Sequence, residues 1–324
     1  MDTDNTHYED DKKHIEQLIK QLNLEEAKIK LETMIQFYKN KADLYDLYSE
    51  VLISLNYEKE AKLALEQSIS LDPLSSGDKY MTYGQLMNKP KKKAEQFLKG
   101  IEVYRSIVHK NIINEESLLF AFSSALSSLA ELYMTTELCD TKDAEEICEN
   151  SLQEAYQICS KNPDVLIQLA NLRIIRAKDK EAKDFMDRAF DLIMNSKNTD
   201  NFPDSEIIFN LSKNYSELGD YYTANKLLEI LVQLDDENVE YWYYLSFNHY
   251  TIKNFLYSQN CLDNISELIK KPGFVDEEIS EAVKELQDKL SEISKKEGKL
   301  VNNLLESEDQ EDEEERNNSM NIDV

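Results

Sequence analysis

The sequence predicts an all-α protein, a right-handed superhelix of stacked helix pairs (an α-solenoid) closed by a C-terminal capping helix. Three observations carry that reading. Only 6 glycines and 5 prolines occur in 324 residues, whereas Glu, Lys and Leu, all good helix formers, abound. Apolar residues recur at helical spacing along most of the chain. The third observation is a period of 34 residues. When "DSEIIFNLSKNYSELGDYYTANKLLEILVQLDD" is laid over "VEYWYYLSFNHYTIKNFLYSQNCLDNISELIKK", Ile208 falls on Trp242, Leu211 on Leu245 and Ser212 on Ser246. Further along, Ala224 falls on Ser258, Leu228 on Leu262 and Leu231 on Ile265.

This is the tetratricopeptide pattern: a large residue, then Leu-small and an aromatic in helix A, with Ala-x3-large in helix B. The small residues let the two helices of a pair approach closely where they cross. Taken in order, residues 1–8 are polar and acidic and are expected to be disordered. Lys12–Asn40 reads as an amphipathic helix pair. "YDLYSEVLISLNYEKEAKLALEQSISLDP" then fits the repeat, with Tyr48, Ser49, Leu52, Ala61, Leu65 and Ser68 in phase. "KYMTYGQLMNKPKKKAEQFLKGIEVY" is a shorter-looped version with Gly84 and Ala94 at the small positions. "VLIQLANLRIIRAKDKEAKDFMDRAF" supplies Leu166, Leu169 and Ala170, then Ala182, Met186 and Ala189. The prolines fall between expected helices. The superhelix should therefore occupy 9–306 in about six repeats, with 276–306 as a polar-faced cap. An acidic tail, 307–324, is expected to be disordered.

One repeat breaks the period. In "ALSSLAELYMTTELCDTKDAEEICENSL", Ala130 sits at the small position of helix A, but Ala144 comes two residues late. The joint Thr135–Asp140 has no glycine or proline and carries its own apolar residues. Leu138 and Cys139 are expected to be at least partly buried, Asp140 or Thr141 to cap the next helix, and that helix to run to about Ser160.

Charge narrows the function. The net charge is −27, and Glu306–Glu315 contributes eight acids with no base. Subtracting these eight still leaves −19, so the body is itself acidic, repelling nucleic acid and anionic membranes and attracting basic partners. No run of about eighteen apolar residues stands out, and no membrane span is expected. The acidic N-terminus has neither the basic-apolar order of a secretory signal nor the Arg-rich character of a mitochondrial presequence. Cys139, Cys148, Cys159 and Cys261 form no CxxC pair and read as reduced, mostly buried thiols. The four histidines lack a nucleophile or a ligand at useful spacing, and "GDKYMTYG" lacks the ending of a phosphate loop. No catalytic, metal or cofactor site is therefore assigned. "KPKKK" (Lys89–Lys93) reads as a solvated inter-helix loop, with an import signal as the other reading.

Stacked helix pairs present their A helices to extended ligands. The inward positions give Asp43, Asp46, Glu50 and Glu131, then Asn171, and finally the aromatics Phe209, Tyr243 and Phe247. Lys213 is the one base among them. Such a groove suits a basic, partly apolar segment whose Lys and Arg stems can lie on rings.

"GDKYMTYGQLM", "FLKGIEVY", "ALSSLAELYMTTELCDTKDAEEICENSLQEA" and "LIQLANLRIIRAKDKEAKDFM" together resemble the dedicated assembly chaperones of ribosomal large-subunit protein four. The resemblance is close over Gly77–Phe190 and looser elsewhere. It departs from the family pattern "AELYMTDLC…AE…CE" by one extra residue in the Thr-Thr-Glu-Leu-Cys joint. It implies a tetratricopeptide protein that holds a newly made basic ribosomal protein by a long internal loop and accompanies it from cytoplasm to nucleus. A nuclear import receptor is a second implied partner. Two rival readings are a scaffold subunit of a larger complex and a carrier for another basic client such as a histone.

Overall fold

The computed structural model describes residues 2–110, 115–196, 203–271, 276–293 and 295. The described residues contain helices and turns but no strand. They divide into two compact units, with the boundary between Leu192 and Ile193.

The first unit runs through α1 (Asp2–Lys20), α2 (Leu24–Phe37), α3 (Ala42–Ser54), α4 (Glu58–Leu71), α5 (Asp78–Gln85) and α6 (Pro90–Lys110). It continues with α7 (Glu116–Thr135), α8 (Ala144–Ile158), α9 (Pro163–Ile175) and most of α10 (Asp179–Ser196). Odd helices are the A helices and even ones the B helices, and α1 to α9 each pack on their neighbours in sequence. One core cluster joins α1, α2 and α3 through Ile15, Leu31 and Leu44. A larger one gathers α5 to α9 around Phe97, Leu126, Leu129 and Leu152. The second unit holds α11 (Ser205–Glu217), α12 (Tyr221–Leu234), α13 (Val239–Thr251) and α14 (Phe255–Leu268), followed by α15 over 277–293. Val283, Leu286 and Leu290 of α15 pack on Val239, Leu262 and Ile265. That is what a cap should do: it covers the apolar face that a further repeat would otherwise bury.

The repeat is written into the turns. Leu22, Asn56, Ala177, Gly219 and Lys253 all have positive φ, between 53° and 79°. Each lies between the A and B helices of its pair and closes helix A in the same way. The next residue's N–H reaches back to Leu18, Leu52, Arg173, Tyr215 and His249 respectively, at 2.8–2.9 Å. This is the helix-stop geometry glycine favours, because the left-handed region crowds a Cβ. Only Gly219 is a glycine. Its partner one repeat later, Lys253, adopts the same conformation, and Leu22 and Asn56 are separated by the same 34 residues.

Several expectations need correction. Helix α1 begins at Asp2, replacing the expected disorder over 1–8, because Tyr8 is buried and bonded to α3. "KPKKK" is not a loop: Pro90 opens α6, where its missing N–H costs nothing, so Lys91–Lys93 occupy the first helical turn. By length and composition α7 could cross a membrane. In this fold it is the central core helix of its unit, with Ala125, Leu126, Leu129, Ala130 and Leu132 all buried. The tail 307–324 and most of 294–306 lie outside the described residues.

The glycine-free joint is a 3-10 turn, Glu137–Asp140. Thr136 makes it possible. Its hydroxyl donates to the Leu132 carbonyl at the end of α7 (2.6 Å) and accepts from the Leu138 amide (3.2 Å). Thr141 Oγ1 closes the other side on the Leu138 carbonyl at 2.7 Å. Two threonine hydroxyls thus satisfy backbone groups at a turn that has no left-handed residue, unlike five of the other pairs. Leu138 is buried as expected. Cys139 is exposed, because the 3-10 turn points consecutive side chains apart. The cap is Asp143 rather than Asp140 or Thr141, and α8 ends at Ile158. Beneath the joint, Cys148 Sγ lies 3.5 Å from the Ala130 carbonyl, and burial pushes its thiol pKa up to about 11.

Candidate functional site

On α3 the residues Asp43, Asp46 and Glu50 recur at spacings of three and four and share one face. The structure gives them three different roles. Asp43 accepts from the Tyr8 hydroxyl at 2.7 Å and pairs with Lys12 Nζ at 2.6 Å. Burial alone would raise its pKa, but the bonds from Lys12 and Tyr8 outweigh it and hold the carboxyl below the ordinary carboxylate range. Asp43 is therefore a brace between α1 and α3, and its expected place in an open groove is corrected.

Asp46 accepts from Ser68 Oγ at 2.5 Å and lies 3.4 Å from Lys79 Nζ. Lys79 is a buried ammonium, its side chain only 1% exposed, which also donates to Ser68 Oγ (2.8 Å) and the Asp72 carbonyl (3.0 Å). A buried charge needs such partners, so much of Asp46's charge is already answered. Glu50 is exposed, and no ion pair or side-chain hydrogen bond holds its carboxylate among the described residues.

Asp46 and Glu50 line one cleft of about 470 Å³ between α3 and α5, with Leu47, Ile53, Asp78, Lys79 and Thr82. Asp78 accepts from Ser76 Oγ at 2.5 Å and from the Tyr104 hydroxyl. The sequence reading missed Asp78, Lys79 and Thr82. Met81 on the same helix is buried against the α6 crossing. The available signal was the α5 start itself: Gly77 leaves no room for a Cβ, whose nearest neighbours would be the Tyr104 ring at 2.4 Å and the Gly100 carbonyl at 2.7 Å. That close approach sets the rotation of α5. Glu131 and Asn171 are half-buried on α7 and α9 and do not line this cleft. Asn171 Nδ2 donates to Gln168 Oε1 at 2.9 Å.

In the second unit the aromatic residues do gather. Phe209 meets Tyr241 (centroids 5.0 Å apart) and Tyr244 (5.2 Å) edge-on. Tyr243 meets Tyr244 at 5.7 Å and stacks on Phe247 at 6.4 Å. Phe209 is only 6% exposed, with Lys213 Nζ 4.4 Å over its ring, so it is a core residue rather than groove lining. Tyr243 is half-buried and packed with the α15 cluster. Burial, and then the charge of Glu285, push its hydroxyl pKa up. Phe247, 40% exposed, is the exposed ring of this group.

Comparison with known proteins fits this architecture. A tetratricopeptide-repeat family model matches residues 42–73, which are α3 and α4. The chain is 28% identical over 300 residues to a protein of Schizosaccharomyces pombe described as a probable assembly chaperone of rpl4, covering 86% of this chain and 88% of that one. The similarity to that chaperone runs along most of both chains. A protein of Emericella nidulans with the same description is 28% identical over 205 residues, covering 60% of this chain and 51% of its own length. Among solved structures, the assembly chaperone of RpL4 (Acl4, residues 1–338) superposes with a TM-score of 0.65 at 19% identity, covering 78% of this chain and 99% of that one. At that identity the superposition speaks for the fold alone. The resemblance read from residues 77–190 therefore extends, in sequence, over most of the chain.

Proposed function

We propose that this chain is a dedicated chaperone of ribosomal large-subunit protein four, working by binding and not by catalysis. The carrying observation is the similarity to the Schizosaccharomyces pombe chaperone, which spans nearly the full length of both chains. The chemistry supports it. A body of −19 without its acidic run disfavours nucleic acid and favours a basic client. Within it, the α3–α5 cleft carries an exposed Glu50 beside Asp46 and Asp78, over the apolar Leu47 and Ile53. A Lys or Arg of the client would place its charge at Glu50 and its stem along Ile53. Phe247, in the second unit, offers a ring for another such stem. The client's basic loop is thereby shielded from nucleic acid until assembly, and the complex serves in both cytoplasm and nucleus, where an import receptor would recognise it.

The test is recovery of the tagged full-length chain from growing cells at low salt, followed by mass spectrometry. Ribosomal protein four as the dominant stoichiometric partner is the expected result. Recovery instead of histones, or of a fixed multi-subunit complex, overturns the reading.

A further inference from the structure

A second cleft in the first unit lies on the other side of α3. Its volume is about 580 Å³, and it opens between the B helices α2 and α4, over Tyr45 and Tyr48. Its floor is Ile35, Ala64 and the two tyrosine rings, and its rims carry Glu32 from α2 and Glu60 from α4. At 100° per residue, Tyr45 and Tyr48 face about 150° away from Asp46 and Glu50, so this surface is separate from the α3–α5 cleft.

Three features distinguish it from an ordinary solvated face. First, it exposes large aliphatic groups: Leu63 is 65% exposed on the rim, and Ile29, one turn before Glu32, is 62% exposed. The outer face of a B helix is normally polar. Second, the floor holds one of the two carboxylates in place, with the other lining the same cleft. The Tyr48 hydroxyl donates to Glu32 Oε1 at 2.9 Å, and its pKa is pushed up to about 12, by burial first and then by Glu32 and Glu60. Third, Glu32 and Glu60 are exposed, and neither has a cationic partner among the described residues.

We propose that this cleft is a second docking site, for a basic peptide segment of a partner protein anchored by one large apolar side chain. The apolar residue would fill the Tyr45–Tyr48–Ile35 floor against Leu63, and flanking Lys or Arg would pair with Glu32 and Glu60. Charge complementarity selects this occupant: a second copy of a chain carrying −27 is repelled, and an acidic or purely apolar segment leaves both carboxylates unanswered. Because the two clefts lie on opposite sides of α3, both can be filled at once.

The test uses the full-length chain and a fluorescein-labelled 15-residue peptide of Lys, Arg and Gly around a central Trp-Leu pair. A control peptide replaces that pair with Gly-Ser. Fluorescence anisotropy should show the control binding about fivefold more weakly, as loss of a buried anchor requires. Glu32→Lys combined with Glu60→Lys should weaken the Trp-Leu peptide about tenfold, and Leu63→Ser about threefold, while Glu95→Lys on α6, outside both clefts, changes it less than about twofold. All four substituted positions are exposed, and circular dichroism verifies the fold of each variant. Undiminished binding by the Glu32/Glu60 variant or by Leu63→Ser overturns the proposal. So does weakening by Glu50→Lys alone, which puts the peptide in the α3–α5 cleft. A doubled mass in light scattering that Leu63→Ser returns to monomer also overturns it, because a second copy then covers the face.

Discussion

Lys79 shows how far single residues can depart from what their spacing suggests. Read along α3, Asp43, Asp46 and Glu50 form a stripe of like charge, and only the neighbours of each decide its use. A buried ammonium answers Asp46, a tyrosine and a lysine from α1 answer Asp43, and Glu50 is left to solvent. Lys79→Met should cost about 2–4 kcal/mol by thermal or urea unfolding, because Ser68 and the Asp72 carbonyl lose the donor they are built around. Asp43 gives a pH signature. Its folded pKa is depressed, so its contribution is present above the unfolded value of about 3.9 and is lost as pH falls through the folded value. Asp43→Asn should therefore lower stability at pH 7 and flatten the acid limb of the stability profile below about pH 4, as urea titrations across pH would record. None of these pairings was legible in the sequence. Tyr8 and Lys12 lie 35 and 31 residues from Asp43, and nothing local announces a partner that distant.

At the scale of elements the sequence was more informative, because a repeat repeats its causes. The in-phase small and large residues over 205–268 correspond to α11–α14, with Ser246 Oγ 3.0 Å from Ser258 Oγ where α13 crosses α14. What the pattern concealed was the turn chemistry. Four of the five left-handed closures use Leu, Asn, Ala or Lys, so a search for glycine finds only Gly219. Ala177→Gly should accordingly raise stability by about 0.5–1 kcal/mol, since relief of the Cβ clash exceeds the entropy glycine adds to the unfolded chain; a higher Tm is the readout. The α5–α6 crossing makes the opposite case. A Cβ on Gly100 would sit 2.9 Å from the Gly77 carbonyl, a backbone atom that cannot swing aside. Gly100→Ala should destabilise by about 1–3 kcal/mol. The irregular joint was half legible: its two apolar residues signalled order, but only geometry separates buried Leu138 from exposed Cys139, and Thr136 was not identified as the residue that closes the turn.

For the whole molecule, what composition conveys is charge, and charge acts on encounter more than on lifetime. A chain at −27 should capture a basic client quickly and in a salt-dependent way, because exposed charges are screened within about 8 Å at physiological ionic strength. The identity of the client lies beyond composition and periodicity; it enters through relatedness along the chain. The exposed ring of Phe247 supplies a contrasting prediction: Phe247→Ala should leave the association rate nearly unchanged and raise the dissociation rate, by an amount equivalent to about 1–2 kcal/mol.

The most direct measurement is a stopped-flow titration of ribosomal large-subunit protein four into the full-length chain and its Glu50→Lys variant, at low and at physiological salt. The variant should associate several-fold more slowly at low salt, with most of the difference erased as salt rises and the dissociation rate little changed. Equal association rates for the two proteins, or binding by the wild type that ignores salt, would contradict it.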